Sequence, residues 1–385
     1  MNPIVRERYL KEIELQFEVH SICGVLGPRQ VGKTTIAKQF AEKFPSTAVH
    51  VFDLENPSDL AQFDNPMLLL SPLMRQGCLV IIDEIQRCPE LFPILRVLVD
   101  TKPGKLLILG SASRDLIRQS SESLAGRIGY VEVAPFSCEE ISDIETLWLR
   151  GGFPRSFLAE SIEKSFIWRE AYIRTFLEQD IPNLGFTIPA QQVYRFWMML
   201  CHYHGQTFNA SEINRSLGIS DHMSRKYLDI LSGTFMMRIL HPWFENISKR
   251  QIKSPKIYFR DSGILHTLLG IRDMKQLMSN PRLGAFWEGF ALEEVLRKFR
   301  AKQEECFFWG TQSGAELDLL LHKDGKALGF EFKYSDAPKV TPSMRIAQED
   351  LKLDHTYVIH PGHGSFPMTE KITAFGLESF IRETA

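Results

Sequence analysis

Three features are missing from this sequence, and each absence narrows its reading. No apolar run approaches the ~20 residues that a membrane-spanning helix needs, so no contact with a membrane is expected. The polar start MNPIVRERYLKEIE does not follow the pattern of a signal peptide. No two of the six cysteines (Cys23, Cys78, Cys88, Cys138, Cys201, Cys306) form a C-x-x-C pair. That scatter argues against a disulfide framework and a cysteine metal site, and the cytoplasm is the expected compartment. Net charge is also nearly absent: 45 Lys/Arg against 47 Asp/Glu leave −2. What remains is a globular composition, 44% hydrophobic and 24% charged over 385 residues, enough for two to four domains.

Against that background one stretch stands out. Gly27-Pro28-Arg29-Gln30-Val31-Gly32-Lys33-Thr34 fits G-x-x-x-x-G-K-[ST], the P-loop pattern, and Thr35 follows it. Glycines at both ends let the backbone curl so that its N–H groups point at phosphate oxygens. Lys33 supplies an ammonium for the β- and γ-phosphates of ATP, and the Thr34 hydroxyl is a Mg²⁺ ligand. A buried strand over 20–26 is expected to enter the loop. A helix over 33–44 is expected to leave it, with its positive end toward the anion.

A second apolar run, CLVIID over 78–83, ends in Asp83-Glu84. Such a run suits a central parallel strand buried on both faces, and ligands bind at the carboxyl ends of such strands. Asp83 is expected to hold Mg²⁺ through water and Glu84 to activate the attacking water, the Walker B roles. The strand KLLIL over 105–109 leads into Gly110-Ser111-Ala112-Ser113. Ser111, with Ser113 as alternate, is the candidate polar contact to the γ-phosphate; a plain helix N-cap is the other reading. Residues 114–125 read as a helix. The strand–helix alternation predicts an α/β fold, a parallel sheet with helices on both faces.

Further on, residues 207–231 read as a helix-turn-helix. Ser211 is expected to cap its first helix, Gly218 to break it and Ser220 to cap the second. Arg225 and Lys226 lie opposite the apolar stripe Met223, Tyr227 and Leu231. Strands at 236–240 and 256–259 could form a wing. Over 191–260 ten Lys/Arg face four Asp/Glu, an excess of +6 that leaves −8 on the remainder. DNA is the expected partner of this region, with docking of a protein as the alternative.

Two elements near the C-terminus converge on a carboxylate cluster. In the helix FWEGFALEEVLRKF (286–299), Glu288 falls on the apolar stripe, whereas Glu293 and Arg297 are expected to form an exposed i,i+4 pair. Asp324-Gly325 predicts a two-residue hairpin that sets Leu321 against Leu328 and Leu319 against Phe330. On the other face Asp318 then meets Glu331, and Glu316 meets Lys333. Opposed carboxylates need a cation or a proton between them. Asp318 and Glu331 are therefore candidate Mg²⁺ ligands, with Lys333 and Glu288 completing a nuclease-like site. An exposed hairpin face with a Glu316–Lys333 salt bridge is the plainer alternative.

Taken together, GPRQVGKTT, VIIDEIQRCPEL, LILGSASRDL, SLAGRIGYVEVAPFS, GGFP, KSPKIYFRDSGILHTLLG and GAELDLLL…FEFKYS span nearly the whole chain. They resemble a bacterial and archaeal ATPase family that joins an AAA+-like core to a C-terminal domain of unknown function. The resemblance implies a P-loop core (1–148), a helical lid (149–188), a winged helix (189–262) and a PD-(D/E)XK nuclease-like domain (263–385). It also implies that Glu288, Asp318, Glu331 and Lys333 fill the nuclease motif. Arg127 in SLAGR would be an arginine finger acting on a neighbouring subunit, hence in a homo-oligomer. Arg155 in GGFPR has an open role, reach to the nucleotide from the lid being one.

Overall fold

The computed structural model describes residues 4–112, 124–245 and 249–383. The chain forms two compact units. The first holds residues up to Pro135 with two returning pieces, Glu178–Thr187 and Gly233–Phe235; the second holds Phe136–Leu177, Ile188–Ser232 and everything from Met236 onward. The segment expected as a lid is thus shared between the units, 149–177 in the second and 178–187 in the first.

The first unit is built on β1 (Ile22–Leu26), β2 (Val49–Asp53), β3 (Leu79–Asp83), β4 (Lys105–Gly110) and β5 (Ile128–Glu132). All neighbours are parallel, in the order β2-β3-β4-β1-β5. β4 lies between the strand entering the P-loop and the strand ending in Asp83. Strand side chains alternate between the two faces. Val80, Ile82, Leu106 and Ile108 join helix α3 (Leu91–Thr101) in one core. Leu79, Ile81, Leu107 and Leu109 join α1 (Glu7–Val19) and α2 (Lys33–Ala41) in the other. Both faces are covered, which is why these strands read as unbroken apolar runs. Helix α2 ends at Ala41, short of the expected Phe44; residues 43 and 44 continue as tighter i→i+3 turns. Ser113 and most of the helix expected over 114–125 lie outside the described residues.

The second unit contains a mixed sheet in the order β13-β14-β12-β11-β10-β9-β7-β8-β6. Its strands are β6 (Gln206–Thr207), β7 (Met237–Pro242), β8 (Lys256–Phe259), β9 (Cys306–Gly310), β10 (Glu316–Lys323), β11 (Lys326–Phe332), β12 (His355–His360), β13 (Ser365–Pro367) and β14 (Ile372–Gly376). β10 and β11 form the expected hairpin, with Leu319 opposite Phe330 and Leu321 opposite Leu328. Asp324 and Gly325 both have positive φ (50° and 77°), the twist that a two-residue hairpin turn needs. β7 and β8, expected as a wing, pair antiparallel with each other. β7 also pairs with β9, so the sheet continues through the junction expected at residue 262. That pairing satisfies a strand edge otherwise left with open N–H and C=O groups.

Two local expectations fail for identifiable reasons. The helix over Ala210–Leu217 is capped by Asn209, whose side chain accepts from the Glu212 N–H, and not by Ser211. Ser220 does cap the next helix, Asp221–Gly233, by accepting from the Met223 N–H at 3.2 Å. Helix α4 (Leu283–Lys298) has no solvent-facing side over 289–296. Glu293 and Glu294 are 2% and 1% exposed, so the exposed Glu293–Arg297 pair does not exist. Glu293 binds Arg238, with Arg260 at 3.7 Å, while Arg297 pairs with Glu294 at 2.6 Å. The helix packs against β11, the C-terminal helix and the helix at 262–268, whereas the stripe argument assumes one covered face.

Candidate functional site

The P-loop joins β1 to α2, and its two glycines are required for different reasons. A Cβ on Gly27 would lie 2.2 Å from the Val133 carbonyl oxygen. Gly32 has φ +100°, a left-handed conformation that disfavours any side chain. Pro28 and Val31 are buried, Arg29 is half-buried and Gln30 exposed. Lys33 is 5% exposed. Its Nζ donates to the carbonyls of Gly27 and Pro28, each at 3.0 Å, and to Ser111 Oγ at 3.2 Å. A buried ammonium must be hydrogen-bonded, and here the loop's own carbonyls serve. Burial pushes the Lys33 pKa down, with Glu84 and Asp83 pulling against it.

The acidic pair meets the loop at the carboxyl end of β3. Thr34 Oγ1 donates to Asp83 Oδ2 at 2.6 Å, so the two oxygens expected to serve Mg²⁺ are already adjacent. Both are hard oxygen donors and fit that ion. Burial pushes the Asp83 pKa up, and the Thr34 hydrogen bond opposes it. Glu84 sits at φ 55°, a left-handed conformation costly for a side-chain-bearing residue. Ser111 Oγ donates to Glu84 at 3.0 and 3.1 Å, so Ser111 bridges Lys33 to Glu84. The structure therefore brings Gly27–Thr35, Asp83, Glu84 and Ser111 into one place.

Asp180 is a member of this site that no sequence signal indicated. It lies in the returning segment of the first unit and pairs with Arg29, whose other nitrogen pairs with Glu55. These two carboxylates hold the P-loop guanidinium. Asp180→Asn is expected to tighten ATP binding three- to tenfold, about 0.6–1.4 kcal/mol, because it weakens one of the two carboxylate holds on Arg29 and removes negative charge beside the P-loop. A fluorescent ATP analogue titration measures this; unchanged or weaker binding would contradict it.

Arg127 does not join this group. It precedes β5, whose first residue pairs with Ile22 at the start of β1. The P-loop follows the end of β1, four steps or roughly 13 Å along the strand. The Arg127 guanidinium instead pairs with Asp100 at 2.6 and 2.8 Å. Arg155 is exposed and belongs to the second unit.

In the second unit Glu288, Asp318, Glu331 and Lys333 do converge, but the pairing differs from expectation. Lys333 Nζ lies 2.6 Å from Glu331 and 3.6 Å from Asp318, whereas Glu316 pairs with Lys256. Lys256 was counted toward a DNA-facing patch; its side chain is in fact 5% exposed and also faces Glu288 at 3.5 Å and Asp318 at 3.7 Å. The Tyr258 hydroxyl donates to Glu288 at 2.6 Å. Burial, then the Asp318 charge, pushes the carboxyls of Glu288 and Glu331 up. Among the described residues no group of three or more His, Cys, Asp or Glu side chains is arranged to hold a metal ion. The cluster as it stands does not fit Mg²⁺. The signal for Lys256 and Tyr258 was the alternation in KIYF, which puts both side chains on one face of an otherwise apolar strand.

Other basic residues of the 191–260 stretch are likewise used internally. Arg238 and Arg260 meet Glu293, and Lys249 meets Asp350. Of the ten, Arg195, Arg215, Arg225, Arg250 and Lys253 are exposed without appearing in those pairs, and Lys226 is half-buried. Charge counting overstated the patch because its partners lie outside the counted window.

Comparison with known proteins agrees with the nucleotide site. Residues 19–142 match the family described as AAA domain. Residues 141–275 and 283–380 match two families described as domains of unknown function, DUF8612 and DUF4143. The solved Walker-type ATPase PABY2304 of Pyrococcus abyssi is similar at TM-score 0.50 and 14% identity, over 70% of this chain and 96% of that one. At that identity the likeness is one of fold. No helix among the described residues is long and apolar enough to cross a membrane. Uncharacterized protein Rv2008c of Mycobacterium tuberculosis and Uncharacterized protein Mb2031c of Mycobacterium bovis are each 47% identical over 359 residues, 92% of this chain and 80% of theirs. This chain, an AAA domain followed by two domains of unknown function, belongs to the same family as these mycobacterial proteins.

Proposed function

We propose that the chain is a Mg²⁺-dependent ATPase whose nucleotide cycle acts on DNA. The observation that carries the ATPase half is the continuous chain of contacts Thr34–Asp83 and Lys33–Ser111–Glu84 at the mouth of the P-loop. The N–H groups of 27–35 would bind the phosphates, and Lys33 would exchange its carbonyl partners for phosphate oxygens. Thr34 and Asp83 would hold Mg²⁺, which neutralises charge on the phosphoryl oxygens. Glu84 takes a proton from the attacking water, and Ser111 fixes the orientation of its carboxylate. Arg127 acts in trans within a homo-oligomer; its pairing with Asp100 is at an exposed surface, where such pairs are weak and open readily.

DNA contact falls to the helix-turn-helix at 207–231, with β7 and β8 as its wing, through Arg215, Arg225 and Lys226. Internal use of Lys256, Arg238, Arg260 and Lys249 favours a second reading, a nucleotide-gated switch that docks a protein through the same surface. Steady-state ATP turnover with and without duplex and single-stranded DNA separates them. Several-fold stimulation by DNA, lost in Arg225→Glu, is expected. A rate indifferent to DNA would replace the first reading by the second.

A further inference from the structure

The carboxylate cluster of the second unit has a cation of its own. Glu288, Glu316 and Asp318 come from α4 and β10, and the Lys256 side chain enters among them from β8. Its Nζ is 3.5 Å from Glu288 Oε1 and 3.7 Å from Asp318 Oδ1, and it pairs with Glu316. Neighbouring groups add further contacts. Asp318 Oδ2 accepts from the Phe332 N–H at 3.0 Å and faces Lys333 Nζ at 3.6 Å. Tyr258 donates to Glu288, and Lys333 binds Glu331.

We propose that Lys256 is the resident cation of this cluster, and that its ammonium holds the position among Glu288, Asp318 and Glu316 that a divalent ion would have to take. Mg²⁺ needs near-octahedral oxygen ligands at about 2.0–2.1 Å. Here the carboxylate oxygens surround a nitrogen that is carried on a buried strand and stays covalently attached to the chain. The ammonium balances one charge of a trio that would otherwise repel, which makes the cluster a structural ion-pair centre. An ammonium is not a Lewis acid and does not turn a neighbouring water into a nucleophile as a divalent ion does, so metal-assisted hydrolysis has no starting point at this site. The second unit would then hold its partner without cutting it. None of this depends on the ATPase reading, since the residues belong to the other unit.

The test uses the full chain with Asp83→Asn, which silences the P-loop metal, in the absence of nucleotide. Mn²⁺ is titrated and the free ion read by electron paramagnetic resonance. The parent is expected to bind no Mn²⁺ that depends on Asp318 up to about 1 mM, the weak end of protein carboxylate sites. Lys256→Met, shown to be folded by near-ultraviolet circular dichroism, is expected to gain one equivalent at least tenfold tighter, abolished by adding Asp318→Asn. Should Lys256→Met fail to fold, Lys256→Met/Glu316→Gln removes one charge of each sign and is read the same way. Mn²⁺ binding by the parent that Asp318→Asn abolishes would overturn the proposal. So would a folded Lys256→Met chain that gains no site. If neither lysine variant folds, the parent titration alone decides.

Discussion

Glu84→Gln is expected to abolish ATP turnover, by a factor of about 10²–10⁴, the range associated with removing a general base. The substitution keeps the shape of the side chain and leaves an oxygen to accept from Ser111, which now donates at 3.0 Å. It removes only the basicity. Nucleotide affinity should therefore stay within a few-fold of the parent, because Lys33, Thr34 and Asp83 are untouched. Lys33→Ala is the counterpart and should lose binding itself, since it removes the buried ammonium that would meet the phosphates. Measuring phosphate release together with binding of a fluorescent ATP analogue distinguishes the two losses. A Glu84→Gln chain that keeps more than a tenth of the parental rate would remove Glu84 as the base.

The second large effect is structural and belongs to the second unit. Glu293→Ala should destabilise it by about 3–5 kcal/mol, the cost of breaking a buried ion pair by removing one partner. Glu293 is 2% exposed and receives Arg238 in two contacts, with Arg260 at 3.7 Å. Those guanidiniums hold its carboxyl down at about 2 against the upward push of burial. Without the carboxylate, the charge of Arg238 stays in a site that hydrates it poorly. Glu160→Ala removes an exposed i,i+4 pair with Lys164 and serves as the control, expected to change stability by less than about 0.5 kcal/mol. Urea unfolding followed by tryptophan fluorescence should show an early transition in Glu293→Ala. ATP binding by the first unit should survive it. Equal midpoints for the two variants would show that Glu293 is not a buried anchor.

Much of the first unit was legible beforehand because its physics is local. A P-loop is a short run of chain whose backbone curl is dictated by its own glycines. The strands of a parallel sheet announce themselves as apolar runs because both faces are covered. The hairpin register of β10 and β11 follows from two turn residues and a period of two, and it came out as expected. Asp83, Glu84 and Ser111 stand out in the sequence because each lies at or just after the end of a recognisable strand.

The misses share a different cause. Glu293 was assigned to solvent because periodicity describes one helix, and only the elements packed around α4 decide whether its far side is covered. Lys256 and Lys249 were counted toward a surface patch because a charge count is blind to partners distant in sequence; Lys249 meets Asp350. Asp180 was invisible because its partner Arg29 lies 151 residues away. Sequence alone thus determined the P-loop, the acidic strand end and the convergence of Glu288, Asp318, Glu331 and Lys333. Tertiary structure decided which cation sits among those carboxylates, because long-range ion pairing depends on which side chains share a buried volume, and spacing along the chain does not encode that.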